Sequence, residues 1–245
     1  MKKNFTKAFL GICALGTSAV AFAQDAAAPL VEQSFHQALK IKFIEGSADF
    51  MSLVAIALIL GLAFVLERII YLNLADTNAD KLLKGVEAAL DKGDVEAAKA
   101  IARDTRGPIA SIFYQGLLRL DQGIDVVEKS VISYGGVQGG LLEKNLSWIT
   151  LFIAMAPSLG FLGTVVGMIM AFDKIEQVGD ISPTVVASGM KVALITTVGG
   201  LVVALILQIF YNYLLSKLEA ILNKMEDASI SLLDLVIKYN VKYNK

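Results

Sequence analysis

Apolar residues form three long runs along the chain, separated by stretches in which polar residues recur. The runs cover residues 50–66, 148–172 and 185–207. Each run has about the length that an α-helix needs to cross the hydrocarbon core of a bilayer, where a helix satisfies its own backbone hydrogen bonds. We therefore predict three transmembrane helices.

Between the first and second runs, apolar residues recur every three or four positions, which is typical of amphipathic helices. We predict helices over 79–90 and 94–103, a third that opens at Pro108, and a fourth over 125–146 that continues into the second run. This set is too small to bury much core alone. We expect it to pack on extensions of the membrane helices or on neighbouring subunits, and the predicted fold class is all-α.

The first 23 residues have the pattern of a secretory signal peptide. Three lysines precede an apolar stretch over 8–22, and a small-x-small pattern ends at Ala23. We predict cleavage after Ala23, with an uncleaved anchor helix as the alternative. The mature N-terminus would then lie outside the cytoplasm. A helix on the outer membrane surface is predicted next, from apolar residues at helical spacing: Val31, Phe35, Leu39 and Phe43.

The distribution of lysine and arginine supports the same topology. With the N-terminus outside, the segments that would lie inside the cell carry most of these residues, as cytoplasmic segments usually do. The third run meets no helix breaker after Leu207, so its helix should continue inside to about Lys238. The predicted segments are a signal peptide (1–23), an outer N-terminal segment (24–49), the first transmembrane helix (50–72), an inner helical domain (73–147), the second transmembrane helix (148–172), an outer loop (173–184), the third transmembrane helix (185–210) and an inner helical tail (211–245).

Composition narrows the function. Apolar residues make up 56% of the chain and charged residues 18%, with a mean hydropathy of +0.63, as in an integral membrane protein. The net charge of −1 gives no field that would attract nucleic acid. Cys13 and His36 are the only residues of their types. We therefore predict no histidine-based metal site, nucleophile–base pair or cofactor site, and we do not expect the protein to be an enzyme.

The two later runs carry small residues at helical spacing. Gly160, Thr164, Gly167 and Ala171 share one helical face, and Ala193, Thr197, Gly200 and Ala204 repeat that spacing. Such faces allow close helix contact or line a narrow passage. Pro157 frees a backbone carbonyl within the second run. The alternative is packing alone, with each hydroxyl bonded to its own helix. The candidate polar residues are Ser158, Thr164, Thr196 and Thr197, and the candidate packing residues are Pro157, Gly160, Gly163, Gly167, Gly200 and Ala204.

Asp, Glu, His, Lys and Arg are absent from 148–172 and from 192–211. A proton or ion relay usually needs an ionisable group at membrane depth. If ions cross here, the titrating acid must come from the helix of a partner.

The two runs resemble the signatures of the MotA/TolQ/ExbB proton-channel family. The second run has Ala156, Pro157, Leu159, Gly160, Leu162, Gly163, Thr164, Val165, Gly167, Met168, Ala171 and Phe172 at the matching positions. The third has Ala193, Leu194, Thr196, Thr197, Gly200, Leu201, Val203, Ala204, Tyr211 and Asn212. The resemblance covers roughly residues 50–235. Three spans with a large first inner segment are similar to ExbB and TolQ, whereas MotA has four spans.

The resemblance implies a bacterial inner-membrane protein with a periplasmic N-terminus and a cytoplasmic C-terminus. It implies a homo-oligomer, a pentamer in this family, around single-span ExbD-like partners that carry the membrane aspartate. Thr164 and Thr197 match the family threonines that face this acid. Proton flow would then drive work on a TonB-like protein. One departure is Val192, because many ExbB and TolQ chains carry a glutamate there, so a proton path that needs this glutamate is in doubt.

Three other interpretations remain open at this point. A TolQ-like subunit would serve envelope constriction during division, and neighbouring Tol–Pal genes would identify it. A motility motor would call for a further span, which the sequence does not show. A passive membrane scaffold would conduct no ions.

Overall fold

The computed structural model describes residues 35–179 and 183–243. Within these residues the chain is helical and contains no strand, which confirms the all-α prediction. The predicted signal peptide lies outside the described residues, as does the part of the predicted surface helix that precedes Phe35. The helices are α1 (Phe35–Glu45), α2 (Ala48–Ala75), α3 (Ala79–Leu90), α4 (Val95–Asp104), α5 (Pro108–Leu117), α6 (Ile124–Glu143), α7 (Leu146–Val178) and α8 (Pro183–Tyr243).

The chain divides into two compact units at Ile44. The first unit contains nearly all of α1, in which His36 and Lys40 are exposed to solvent. The second unit begins at Glu45 and holds the remaining helices.

Three helical stretches are long and apolar enough to cross a membrane, and they contain α2, α7 and α8. Every third or fourth residue of α2 is buried against α7 and α8, including Val54, Ala57 and Val65. Its opposite face exposes large aliphatic side chains such as Ile56 and Ile59. An exposed aliphatic face is stable only in an apolar surrounding, so this pattern fits a helix that faces lipid.

Helices α3–α6 form a small domain that packs on the second half of α8, as its size led us to expect. Two helix starts are capped: Asn78 accepts a hydrogen bond from the Lys81 N–H at 3.1 Å, and Asp94 accepts one from the Ala97 N–H at 2.9 Å. Fully buried side chains of α5 meet those of α6 and α8 in the domain core, which includes Ile112, Phe113, Leu117, Val131 and Leu232.

Three predicted helix ends differ from the structure. The fourth amphipathic helix does not continue into the second span, because Asn145 adopts a left-handed conformation with φ of 68° between α6 and α7. Helix α7 extends through the first part of the predicted outer loop and ends at Val178, where Gly179 supplies a φ of 72°. Helix α8 continues beyond Lys238 to Tyr243.

Candidate membrane interface between two packed helices

Helices α7 and α8 pack against each other along a seam of small residues. On α7 the buried residues at the seam are Ala156, Gly160, Gly163, Gly167 and Ala171. On α8 they are Gly189, Ala193, Thr196 and Gly200. Each row advances by three or four residues, which keeps it on one helical face.

The two backbones approach so closely that the seam glycines leave no room for a methyl group. A Cβ added to Gly160 would lie 2.9 Å from the Thr196 carbonyl oxygen and 3.1 Å from the Thr197 Cα. A Cβ on Gly200 would overlap the Ala156 carbonyl oxygen. Close approach of this kind stabilises helix pairs in lipid, where burial of apolar surface gives no driving force.

The predicted packing residues divide between the seam and its edge. Gly160, Gly163, Gly167 and Gly200 lie in the seam. Ala204 is only half-buried. The spacing predicted Ala204 on the packed face, but its neighbour Val203 is the buried residue there.

The predicted hydroxyl residues occupy three different environments. Thr196 is fully buried, and a Cβ on Gly163 would lie 2.7 Å from its Oγ1 atom. Thr164 and Thr197 are half-buried at the edge of the seam, and Ser158 is exposed. The structure therefore brings Thr196 and Thr197 to the contact with α7, whereas Ser158 lies outside it.

Each of these hydroxyls lies within hydrogen-bond distance of a backbone carbonyl of its own helix. Ser158 Oγ donates to the Ala154 oxygen at 2.9 Å, and Thr164 Oγ1 donates to the Phe161 oxygen at 2.6 Å. Thr196 Oγ1 is 2.8 Å from the Ala193 oxygen. Such back-bonding satisfies the hydroxyl proton and leaves the oxygen lone pairs available as acceptors.

Thr197 also reaches across the seam. Its Oγ1 lies 3.2 Å from the Ala193 oxygen of its own helix and 3.4 Å from the Gly160 oxygen of α7. A single hydroxyl proton cannot be donated fully to both carbonyls, so this threonine can change between the two helices as its acceptor.

Pro157 lies inside α7 and is half-buried. Proline has no N–H, so the carbonyl of Ile153 loses its helical hydrogen bond. This places a weak point of α7 one turn before Gly160.

An ion pair lies near the end of the first apolar run, in the last third of α2. Arg68 Nε donates to Glu67 Oε2 at 2.7 Å, with Arg68 buried and Glu67 45% exposed. The burial of Arg68, which is 2% exposed, was not predicted. Its guanidinium lies 4.4 Å from the centre of the Tyr71 ring and 3.5 Å from the Leu142 carbonyl oxygen. The only signal in the sequence was the charged pair at the end of an apolar run.

Comparison with known proteins agrees with this architecture. The sequence model of the MotA/TolQ/ExbB proton channel family matches residues 104–227, which include α7 and most of α8. An ExbB homologue of Methanothermobacter thermautotrophicus is 30% identical over 71% of the chain and 62% of its own length.

Two bacterial relatives match shorter segments. The biopolymer transport protein exbB1 of Vibrio cholerae is 37% identical over 33% of the chain and 39% of its own length. ExbB of Aquifex aeolicus is 36% identical over 32% of the chain and 53% of its own length. The chain thus spans less than two thirds of each of these relatives. The family match covers half of the chain and both helices of the seam, so the chain belongs to the MotA/TolQ/ExbB proton channel family.

Proposed function

We propose that the protein is an inner-membrane proton-channel and stator subunit of the ExbB type. Several copies, five by analogy with the family, surround an ExbD-like single-span partner that carries an aspartate at membrane depth. The mature N-terminus is periplasmic and the C-terminus is cytoplasmic. Proton flow then does mechanical work on a TonB-like protein for uptake across the outer membrane.

The observation that carries this proposal is that two half-buried threonines, Thr164 and Thr197, lie in stretches of the second and third spans that contain no Asp, Glu, His, Lys or Arg. Thr164 and Thr197 lie at the edge of the α7–α8 seam, where a further helix can approach them. The stretches around them, 148–172 and 192–210, contain no acidic, basic or histidine side chain that could exchange a proton. The chain therefore supplies the polar side of a proton site whose acid is carried by another chain.

The hydroxyl geometry suits this division of roles. Thr164 directs its proton to the Phe161 carbonyl, so its oxygen accepts hydrogen bonds from outside the helix. A protonated carboxyl is a hydrogen-bond donor, whereas an ionised one only accepts. These threonines would favour the protonated aspartate while it faces the seam. Release of the proton would then accompany movement of the acid to a hydrated position.

Threonine-to-valine variants test the proposal, because valine keeps the shape and removes the hydroxyl. We expect Thr164→Val and Thr197→Val to lower proton flux through the reconstituted complex by about tenfold or more each, as for a lost hydrogen bond to a group that changes charge. Outer-membrane uptake should fall with the flux. The matched control is Thr150→Val, because Thr150 Oγ1 also bonds to its own helix, to the Leu146 oxygen at 3.3 Å, away from the seam.

Two results would contradict the proposal. Unchanged flux and uptake in a correctly assembled Thr164→Val/Thr197→Val complex would favour a passive scaffold. Purification without a single-span, aspartate-bearing protein would remove the source of the acid.

A further inference from the structure

The second half of α8 places its lysines on one side, with Asp227 beside Lys224, and three other acids on a second side. Its lysines face α2 and α3, where Lys224 Nζ lies 2.6 Å from Asp76 Oδ1 and Lys238 Nζ lies 3.2 Å from Asp91 Oδ1. An exposed face that begins beside Lys238 carries acidic and aliphatic side chains. In the part of the chain that the structure describes, no salt bridge involves the acids of this face, and Ile230 and Ile237 are 56% and 48% exposed. We call this face the outer tail face; its residues are Glu219, Glu226, Ile230, Asp234, Ile237 and Val241.

A groove of complementary character lies between α5 and α6. It has a volume of about 330 Å³. Arg119 and Lys129 give it positive charge, Val126 and Val137 give it apolar surface, and no carboxylate is among its lining residues. Val137 is 54% exposed in the single chain. An amphipathic helix with acidic and aliphatic side chains suits such a groove.

Helix α6 also offers room for close approach from outside the chain. A Cβ added to Gly136 or Gly140 would have no atom within 4 Å. Both glycines are exposed. Glycine weakens a helix relative to alanine. Within this chain, an alanine would fit at either position without a clash. An approaching helix would use the space.

We propose that the outer tail face of one copy docks in the α5–α6 groove of the next copy. This inference rests on the proposed function, which supplies the oligomer. A head-to-tail contact between two different surfaces of one chain closes into a ring when the rotation between copies is a whole fraction of a turn, as the proposed oligomer requires. Acidic side chains of the tail would meet the two cations of the groove, which also specifies the orientation of the neighbour.

The register of this contact follows from contacts within one chain. The Cβ position of Gly116 lies within 3.0 Å of both Val131 and Leu232, so these two residues are at the same depth along the bundle. The Cβ position of Gly139 lies 3.5 Å from Leu222. Helices α6 and α8 are therefore antiparallel with a known offset.

In a symmetric ring, the same offset between α6 and α8 applies to the contact between copies. Copies inserted in one membrane share their orientation, so the axis of a closed ring is parallel to the membrane normal and preserves depth. With the offset above, Lys129 of one copy lies at the depth of Asp234 of the next. Val126 likewise lies at the depth of Ile237. At these matched depths a lysine lies level with an aspartate, and a valine lies level with an isoleucine.

Cross-linking between copies tests this register. The full-length complex is produced from two differently tagged chains, both with Cys13→Ser, one bearing Lys129→Cys and the other Asp234→Cys. A short bis-maleimide applied to membranes should link the two tags. In the control pair, Lys224→Cys replaces Asp234→Cys. Lys224 lies on the side of the same helix that faces α2 and α3, so this pair should give no linked product. Native mass spectrometry of the same preparation reports the number of copies.

Charge variants provide the second measurement. Lys129→Glu or Asp234→Lys alone should reduce the cross-link yield of a neighbouring pair, Ser133→Cys with Ile230→Cys, by about twofold to fivefold, and the two changes together should restore it. Equal yields from the test and control pairs, or an intact oligomer without the Lys129–Asp234 link, would overturn the docking register and leave the proposed function standing. A complex that contains one copy of this chain would instead refute the oligomer in the proposed function, and the docking proposal with it.

Discussion

Replacement of Gly200 by alanine tests the closeness of the α7–α8 seam. The added methyl group would overlap the Ala156 carbonyl oxygen and would lie 3.2 Å from both the Ala156 carbonyl carbon and the Gly160 Cα. All three are backbone atoms, so no side-chain rotation can relieve the contact. The two helices must move apart or bend.

The cost of this movement can be estimated from the distances. Carbon atoms in good contact are about 3.5–4.0 Å apart, and a gap of 0.5–1 Å loses about a quarter to a half of the dispersion energy of the contacts involved. Overpacking of a well-packed core costs about 1–3 kcal/mol. For a chain of this size each kcal/mol corresponds to about 2–4 °C, so Gly200→Ala should lower the unfolding temperature by about 2–12 °C.

Intrinsic fluorescence of the detergent-solubilised protein measures this change. Trp148 is the only tryptophan, and its ring is stacked on Phe64 of α2 with centroids 5.9 Å apart. Its emission should therefore report the loss of contact between α2 and α7. The matched control is Gly85→Ala in α3, where the added Cβ would lie 3.4 Å from the Ile101 side chain, an ordinary contact. Alanine favours a helix, so the control should unfold at or above the wild-type temperature.

A wild-type unfolding temperature for Gly200→Ala would refute the reasoning, provided that Gly85→Ala behaves as stated. It would mean that the two backbones are farther apart than the structure gives them. Equal losses for both variants would point to a general sensitivity of helical glycines and would refute it as well.

Three further predictions concern charge and backbone conformation. Glu67→Gln should destabilise the protein by about 1–2 kcal/mol, measured by chemical unfolding, because the buried Arg68 guanidinium loses a charged partner that is itself partly exposed; a loss under 0.5 kcal/mol would contradict this. Hydrogen bonds to Asp91 and then to a neighbouring glutamate raise the pKa of Lys238. The contribution of these bonds to stability is therefore complete below the ordinary lysine pKa and is lost as pH rises through the higher folded value. The difference in unfolding temperature between wild type and Lys238→Met should be constant below the ordinary lysine pKa and should decrease as the pH rises above it; a difference independent of pH would contradict the assignment. Gly107→Ala should cost at least about 1–2 kcal/mol by the same unfolding assay, since Gly107 has a φ of 110° and a threonine side chain fills the space beside it, and a neutral result would refute this.

Helix positions that depend on local signals were predictable from the sequence. The helix over 79–90 was predicted at its observed bounds, because its polar start and its apolar spacing are both local. The start of α5 at Pro108 follows from proline's fixed φ and missing N–H. The end of α7 was not predictable in this way. Asp173, Lys174 and Glu176 marked the exit from the membrane, but charged residues continue a helix readily, and the helix ends only at Gly179.

The seam shows why spacing alone gave the right helices and most of the face but not every member of it. Gly163 and Thr164 are neighbours on a helix, about 100° apart, and a repeat of three or four residues can pass through either. The contact uses Gly163, because Thr196 of α8 occupies the space beside it. That choice depends on the position of a second helix, which a one-dimensional pattern does not contain. The burial of Arg68 has the same origin, since its environment is made by residues more than seventy positions away.

Helix α8 has a mechanical consequence. It is continuous over 61 residues, and within it proline occurs only at the first position. At 1.5 Å per residue it is about 90 Å long, so a tilt of one degree at one end displaces the other end by about 1.6 Å if the helix stays straight. Helix α7 contains Pro157 next to the seam, where a helix can bend to follow its neighbour. A tilt of α8 at the seam would therefore be passed on, enlarged by its length, to the α3–α6 domain packed on its far end.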